Sequence, residues 1–148
     1  MLRVVQVKVY TNSLSLKTSK RLEIIDISGR VSDMVRASGV ENGLVTLWVD
    51  HTTAALAINE NDPSLWEDIL SAFARLVPLD ADYNHNRRYR GLPSEQNAHA
   101  HILNCLIKPD TTIPLRNKEI MLATWQSILF IELDGPRSRY VNIHVIGE

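Results

Sequence analysis

Apolar and polar positions alternate along most of this chain, and the period of the alternation changes from one segment to the next. Val5, Val7 and Val9 are separated by Gln6 and Lys8, the period of two expected of a half-buried strand. The pattern predicts a strand over Leu2 to Tyr10 with the valines inside. A polar stretch, Thr11 to Lys20, is then expected to turn the chain back. Arg21 to Ile27 reads as a second strand. Val31, Met34 and Val35 follow at helical spacing, with Gly39 as the C-terminal stop.

Gly43 to Val49 predicts a third strand, with Val45, Leu47 and Val49 on one face and Leu44, Thr46 and Trp48 on the other. Both faces are mostly apolar, which suits a central strand. Thr53 to Ile58 reads as a further short strand. Asp62-Pro63 is a helix start, because the Asp side chain can accept from free backbone N–H groups and proline has no donor to lose there. Trp66, Ile69, Leu70, Phe73 and Val77 then form one apolar stripe, and Pro78 ends the helix.

Leu79 to Ser94 has no periodicity and carries Tyr83, His85, Arg87, Arg88 and Arg90. Irregular segments of that length in compact domains are mostly functional or disordered. Asn97 to Ile107 predicts a helix with Ala98, Ile102, Cys105 and Leu106 on its apolar side, His101 at the edge and His99 in solvent. The remainder is strand-like: Thr111 to Leu115, Glu119 to Ala123, Gln126 to Leu133 and Ser138 to Ile146, with turns at Arg116-Asn117-Lys118 and Asp134-Gly135-Pro136. The expectation is one α+β domain over 1–148, a mostly antiparallel β-sandwich with about three helices packed on it.

Sixteen basic and seventeen acidic residues leave a formal charge of -1, which gives no bulk reason to expect nucleic acid or an anionic membrane as partner. No apolar run approaches the roughly 20 residues a membrane helix needs. The single cysteine, Cys105, cannot form an intrachain disulfide and suits a reducing, cytoplasmic setting. It is expected to be a small buried hydrophobe, and Trp48 and Trp66 are assigned to the core.

Candidate chemistry concentrates in Asp50 to Glu60, where a histidine, two threonines, an asparagine and a glutamate flank a small apolar run. His51 falls at a strand end, as do Asn59 and Glu60 after the next strand. Spacing alone leaves His51, His85 and His101 open to two readings: three separately satisfied side chains, or ligands of one metal drawn from distant segments. His144 is placed on a surface or interface. Thr124-Trp125-Gln126 offers a hydroxyl and an amide that could hold a ligand or satisfy a bulge. Arg137 follows a turn and could grip an anion through its planar fork.

Taken together, the ordered set His51-Thr-Thr-Ala-Ala-Leu-Ala-Ile-Asn-Glu60, Leu76-Val-Pro78, Tyr83, His85, Ala100-His101-Ile102, Thr112-Ile-Pro-Leu115, Thr124-Trp-Gln126 and Gly135-Pro-Arg137 resembles the YjbQ family. Its members often carry the name secondary thiamine-phosphate synthase. The resemblance implies a two-sheet sandwich, a homotrimer with clefts near subunit boundaries, and a divalent metal held by His51, His85 and His101. Asn59, Glu60, Thr124 and Gln126 are implied to lie nearby. Two departures stand out. Ala123 replaces a usual glycine, so a glycine-only conformation would be strained there. Asn86 to Gln96 is longer and richer in arginine than the short acidic segment typical of the family.

The reaction so implied couples a pyrimidine diphosphate to a thiazole phosphate. Imidazole ligands suit zinc better than magnesium, which supports an alternative: a zinc-type hydrolase of a small phosphorylated or carbonyl compound. In that alternative Glu60 moves the proton while Asn59, Thr52 or Thr124 orients the substrate. In either case Thr124, Gln126 and Arg137 are the substrate-binding candidates. A third reading is a non-catalytic trimer that binds a metal or an anion.

Overall fold

The computed structural model describes residues 6–148 as two antiparallel sheets, with one helix packed into the core between them and two more covering the outer face of the small sheet. In chain order the elements are β1 (Lys8–Lys17), β2 (Glu23–Asp26), α1 (Ser28–Ala37), β3 (Gly43–Val49), β4 (Ala54–Asn59) and α2 (Pro63–Leu76). There follow α3 (Asn84–Arg88), a 3-10 turn (Pro93–Glu95), α4 (Ala98–Ile107), β5 (Asp110–Arg116), β6 (Glu119–Ile120), β7 (Ser127–Glu132) and β8 (Ser138–Gly147). The large sheet runs β1-β8-β3-β5-β6 and the small one β2-β7-β4. This is the expected α+β sandwich; the additional helix is the short α3.

The three layers follow from the side-chain period. On β7, Ile128 and Phe130 face the large sheet, where they meet Val45, Leu47, Val141, Ile143 and Val145. Leu129 and Ile131 face the other way, onto Ala100 and Leu103 of α4 and the stripe of α2. A strand buried on both faces reads as a continuous apolar run, as Ile128 to Ile131 does. The stripe of α2 rests on the small sheet as expected, half-buried except for buried Val77. Asp62 Oδ1 accepts from the Ser64 N–H at 2.9 Å, the cap the sequence called for.

Several local expectations fail for identifiable reasons. The first strand runs on through Lys17, because Leu14 and Leu16 are its inward residues, buried against the core. Val7 and Val9 point outward and are exposed, and the part of that expectation before Gln6 lies outside the described residues. On α4 the buried side is Ala98, His99, Ala100 and Leu103, while Ile102, Cys105 and Leu106 are exposed. Small side chains at 98 and 100 let the helix lie close on β4, and Asn104 Nδ2 donates to Ala54 O at 2.7 Å. His99, expected in solvent, is therefore buried. Trp48, assigned to the core, stands on the outer face of the large sheet at 48% exposure. Ala123 carries no strain: among the described residues the non-glycine positions with positive φ are Lys108, Asn117 and Lys118.

Candidate functional site

The end of the sandwich at Ala54 and Glu132, which are paired across β4 and β7, is built on a buried ion pair. The inward alternation of β8 includes Arg139 beside Val141, Ile143 and Val145. Glu132, last residue of β7, faces it from the other sheet. Arg139 Nη2 donates to Glu132 Oε1 at 2.6 Å and Nε to Oε2 at 2.9 Å, a fork-to-fork pair that is 3% and 0% exposed. Glu132 also accepts from Thr18 Oγ1, Leu133 N and Asp134 N, and Arg139 Nη2 reaches Thr53 Oγ1 at 2.9 Å. Every charge is met, as a buried pair requires.

Above this pair lies an open hollow of about 320 Å³ between the β3–β4 loop, the start of α4 and the β7–β8 turn. His51, Thr52, His101 and Arg137 line it, together with Asp50, Glu95 and Asn97. Asp134 holds Arg137 in place: Arg137 Nη2 donates to Asp134 Oδ2 at 2.7 Å and Nε to Asp134 O at 2.8 Å. The same carboxylate accepts from Asn97 Nδ2 at 2.9 Å, while buried Asn97 Oδ1 has no hydrogen-bond partner. Asn97 thus spends its side chain on Asp134, and Asn86 Oδ1 takes the Ala98 N–H instead.

His101 also lines a second hollow, of about 290 Å³, with His85 of α3, Tyr83 and Ile102. The His85 and His101 rings are 5.0 Å apart between centroids, and buried His85 Nδ1 has no partner. Burial lowers the pKa of His101, and His85 beside it acts in the same direction. Burial likewise lowers His51, with Arg139 next in weight and Asp50 and Glu132 opposing. Both rings are therefore neutral near pH 7.

His51 has a constraint of its own. The Tyr140 N–H donates to His51 Nε2 at 3.3 Å, which requires the neutral ring to carry its proton on Nδ1. Asp50 Oδ1 stands 3.3 Å from the same Nε2. Two acceptors then face each other, so this contact is no ion pair while the ring is neutral. Coordination of a metal through Nε2 would require the ring to release Tyr140.

The expected site residues thus fall into two groups. His51, Thr52, His85, His101 and Arg137 gather at the Glu132 end, with His101 shared between the two hollows. Asn59, Glu60, Thr124 and Gln126 lie at the opposite end of the same strands, where Asn59 pairs with Ser127. Five residue steps, from Ala54 to Asn59, separate the ends, about 17 Å at the rise of an extended chain. Glu60 is thus too far from His51 to share a proton within one chain. Thr124 and Gln126 are exposed, and the Gln126 side chain accepts from the Ala123 N–H at 2.9 Å to close a turn. Among the described residues no three or more His, Cys, Asp or Glu side chains are grouped to hold a metal ion. His85 and His101 fit a transition metal by donor type, and among the described residues no third ligand is grouped with that pair.

Glu132, Arg139, Asp134, Asn97 and Thr53 were missed by the sequence reading. The signal was there for two of them: a carboxylate closing an apolar run, and an arginine at an inward position of an alternating strand.

The chain is thus a two-sheet α+β sandwich with imidazoles and an anchored arginine lining open hollows at one end. The chain belongs to the UPF0047 family: the model described as UPF0047 protein YjbQ-like matches residues 12–148. A UPF0047 protein of Methanothermobacter thermautotrophicus is 42% identical over 141 residues, 95% of this chain and 94% of that one. The UPF0047 protein YugU of Bacillus subtilis is 33% identical over 136 residues, 91% and 98% of the two chains. Among solved structures, a YbjQ-like protein of unknown function from Sulfolobus solfataricus superposes with a TM-score of 0.90 at 33% identity, covering 97% of this chain and 100% of that one. A hypothetical protein from Aeropyrum pernix gives 0.88 at 40% identity, covering 94% and 99%.

Proposed function

We propose that this chain is a cytoplasmic, homotrimeric enzyme acting on the phosphate end of a small molecule in the hollow shared by His51, His101 and Arg137. The observation that carries the reading is Arg137. Asp134 holds the Nε–Nη2 edge of its guanidinium, and Nη1 makes no hydrogen bond among the described residues. A pre-positioned cation beside neutral imidazoles suits an anion that develops charge as it leaves.

The coupling of a pyrimidine diphosphate to a thiazole phosphate, implied by the resemblance, has that requirement at its departing pyrophosphate. In this reading the thiazole nitrogen, which has no proton to lose, forms the new C–N bond as the C–O bond to pyrophosphate breaks. Arg137 binds the departing pyrophosphate, Thr52 positions it, and the neutral His101 donates a hydrogen bond to it. A second reading, a zinc-type hydrolase, is favoured by one feature: the donors are neutral nitrogens, which suit zinc rather than magnesium. His85 and His101 would hold the ion, which when bound supplies Lewis-acid activation of water.

Self-association, taken as a homotrimer in this reading, is supported by the outer face of the large sheet. There Val9, Ile146, Leu44 and Pro114 form one cross-strand row, with Trp48 and Tyr140 further along. Val9, Leu44, Trp48, Tyr140 and Ile146 are 46–70% exposed, an apolar surface of the kind that marks an interface. Tyr140 stacks on His51 with centroids 6.5 Å apart, so a neighbour on this face would abut the hollow. We infer that Thr124, Gln126, Asn59 and Glu60 of a neighbouring copy complete the site.

Metal analysis of protein purified without added metal, run beside a pyrimidine–thiazole coupling assay and a phosphatase panel, tests the reading. The coupling reading expects turnover of the two precursors that is lost in a folded His101→Ala variant, and the hydrolase reading expects near-stoichiometric zinc in the wild type that the same variant loses. Full zinc content in both His101→Ala and His51→Ala would remove the metal from the proposal.

A further inference from the structure

We propose that the arginine-rich segment builds a second anion subsite, for the far phosphate of an extended, doubly charged substrate. It rests on the phosphate-binding reading above only for the claim that one molecule reaches both subsites.

The segment is organised rather than loose. Gln96 Nε2 lies within hydrogen-bond reach of three carbonyls, Tyr89 O at 2.8 Å, Asn86 O at 3.3 Å and Leu92 O at 3.4 Å. One amide thereby ties the chain from Asn86 to Gln96 onto the start of α4. The hollow it encloses, about 400 Å³, falls within the usual range for small-molecule sites.

Three guanidinium groups line this hollow, Arg21, Arg87 and Arg90, against two carboxylates, Asp80 and Asp82. Arg87 is paired with Asp82 and bonded to Asn84, so those charges are already met. Arg21 Nη2 donates to Gln96 O at 2.7 Å, which steadies the guanidinium without neutralising it. The Arg90 side chain makes no hydrogen bond or ion pair among the described residues. Arg21 and Arg90 therefore outweigh Asp80, and a planar fork of donors matches a phosphate face.

Arg21 also lines the next hollow, about 360 Å³, whose far side is Arg137. Tyr83 is a wall both of the arginine hollow and of the His85–His101 hollow. The new subsite thus adjoins the candidate site on both sides, and an extended ligand has a route from the unpaired Arg90 past Arg21 to the free Nη1 donor of Arg137, whose charge Asp134 already meets.

The probe is inorganic pyrophosphate, titrated calorimetrically into the full chain at fixed ionic strength. Arg21→Gln and Arg90→Gln should each weaken binding about tenfold, the scale of a lost charged hydrogen bond, and Asp80→Asn should tighten it. Arg88→Gln removes the same charge from the same loop outside the hollow, and should stay within about twofold of wild type. No binding by the wild type, or equal losses in Arg88→Gln and Arg90→Gln, would overturn the subsite. Arg137→Gln in the same titration separates the two readings. Pyrophosphate binding that depends on Arg21 and Arg90 but is unchanged in Arg137→Gln upholds the subsite and counts only against the Arg137 reading.

Discussion

The two ends of the β4–β7 pair carry similar numbers of candidate residues but differ in how those residues are held. At the Glu132 end, Glu132 and Arg139 are buried, matched donor to acceptor, and tie the two sheets together. At the Ser127 end, Asn59, Thr124 and Gln126 are exposed, and their recorded bonds are local: Asn59 Oδ1 to the Glu60 N–H at 2.8 Å, Gln126 to Ala123. One end is a set of buried polar groups cross-linked between the sheets. The other is an exposed surface whose side chains, among the described residues, bond only within their own turns.

The sharpest way to break this comparison is Arg139→Met. It leaves Glu132 buried with an uncompensated charge, and should cost about 3–5 kcal/mol of stability in urea unfolding. Gln126→Ala at the other end should unfold at the wild-type midpoint, since exposed positions with local bonds contribute little. If the two variants unfolded alike, the contrast between the ends would be mistaken.

Complementation gives the next largest signal. His101→Ala and a Thr124→Ala, Gln126→Ala chain should each be inactive alone, for they damage opposite halves of the proposed site. Mixed in equal amounts and refolded together, they should regain about a quarter of wild-type activity, because random assembly pairs two intact halves at that frequency. No recovery in demonstrably mixed oligomers would confine each site to one chain.

Much of the scaffold was legible in the sequence, because period and capping are local. The bounds of β3 and the Asp62 cap of α2 follow from residues within a few positions of each other. The α4 face misled, since a rule that seeks large apolar side chains chose Ile102 and Leu106, whereas close packing chose alanines. At the site, His51 and Glu60 are nine positions apart yet a whole strand separates them, while His51 and His101 line one hollow from different layers. Chain order can show that residues sit at strand ends, but only the fold shows which end. The Glu132–Arg139 pair was readable from alternation, as a charge on an inward position, but its partner could not be assigned without the register of two sheets.

Acid should produce the smallest effect, and it too belongs to one end. His51, His99 and His101 all lie near Glu132 and all have lowered pKa values, with burial the leading cause in each. His99 is the clearest. Its ring is fully buried, Nε2 is 2.9 Å from Leu133 O, and Nδ1 has no partner. The neutral ring donates from Nε2, and a second proton would place an unmatched donor in the core. The unfolded chain, with histidine near 6.5, takes up these protons before the folded one does. Stability is therefore full above about pH 6.5 and falls as pH drops toward the depressed folded values. Urea midpoints at pH 8, 7, 6 and 5 should be level at first and then decline. His99→Gln, which can still donate to Leu133 O, should decline less steeply, and an unchanged slope would mean that His99 is not among the groups responsible.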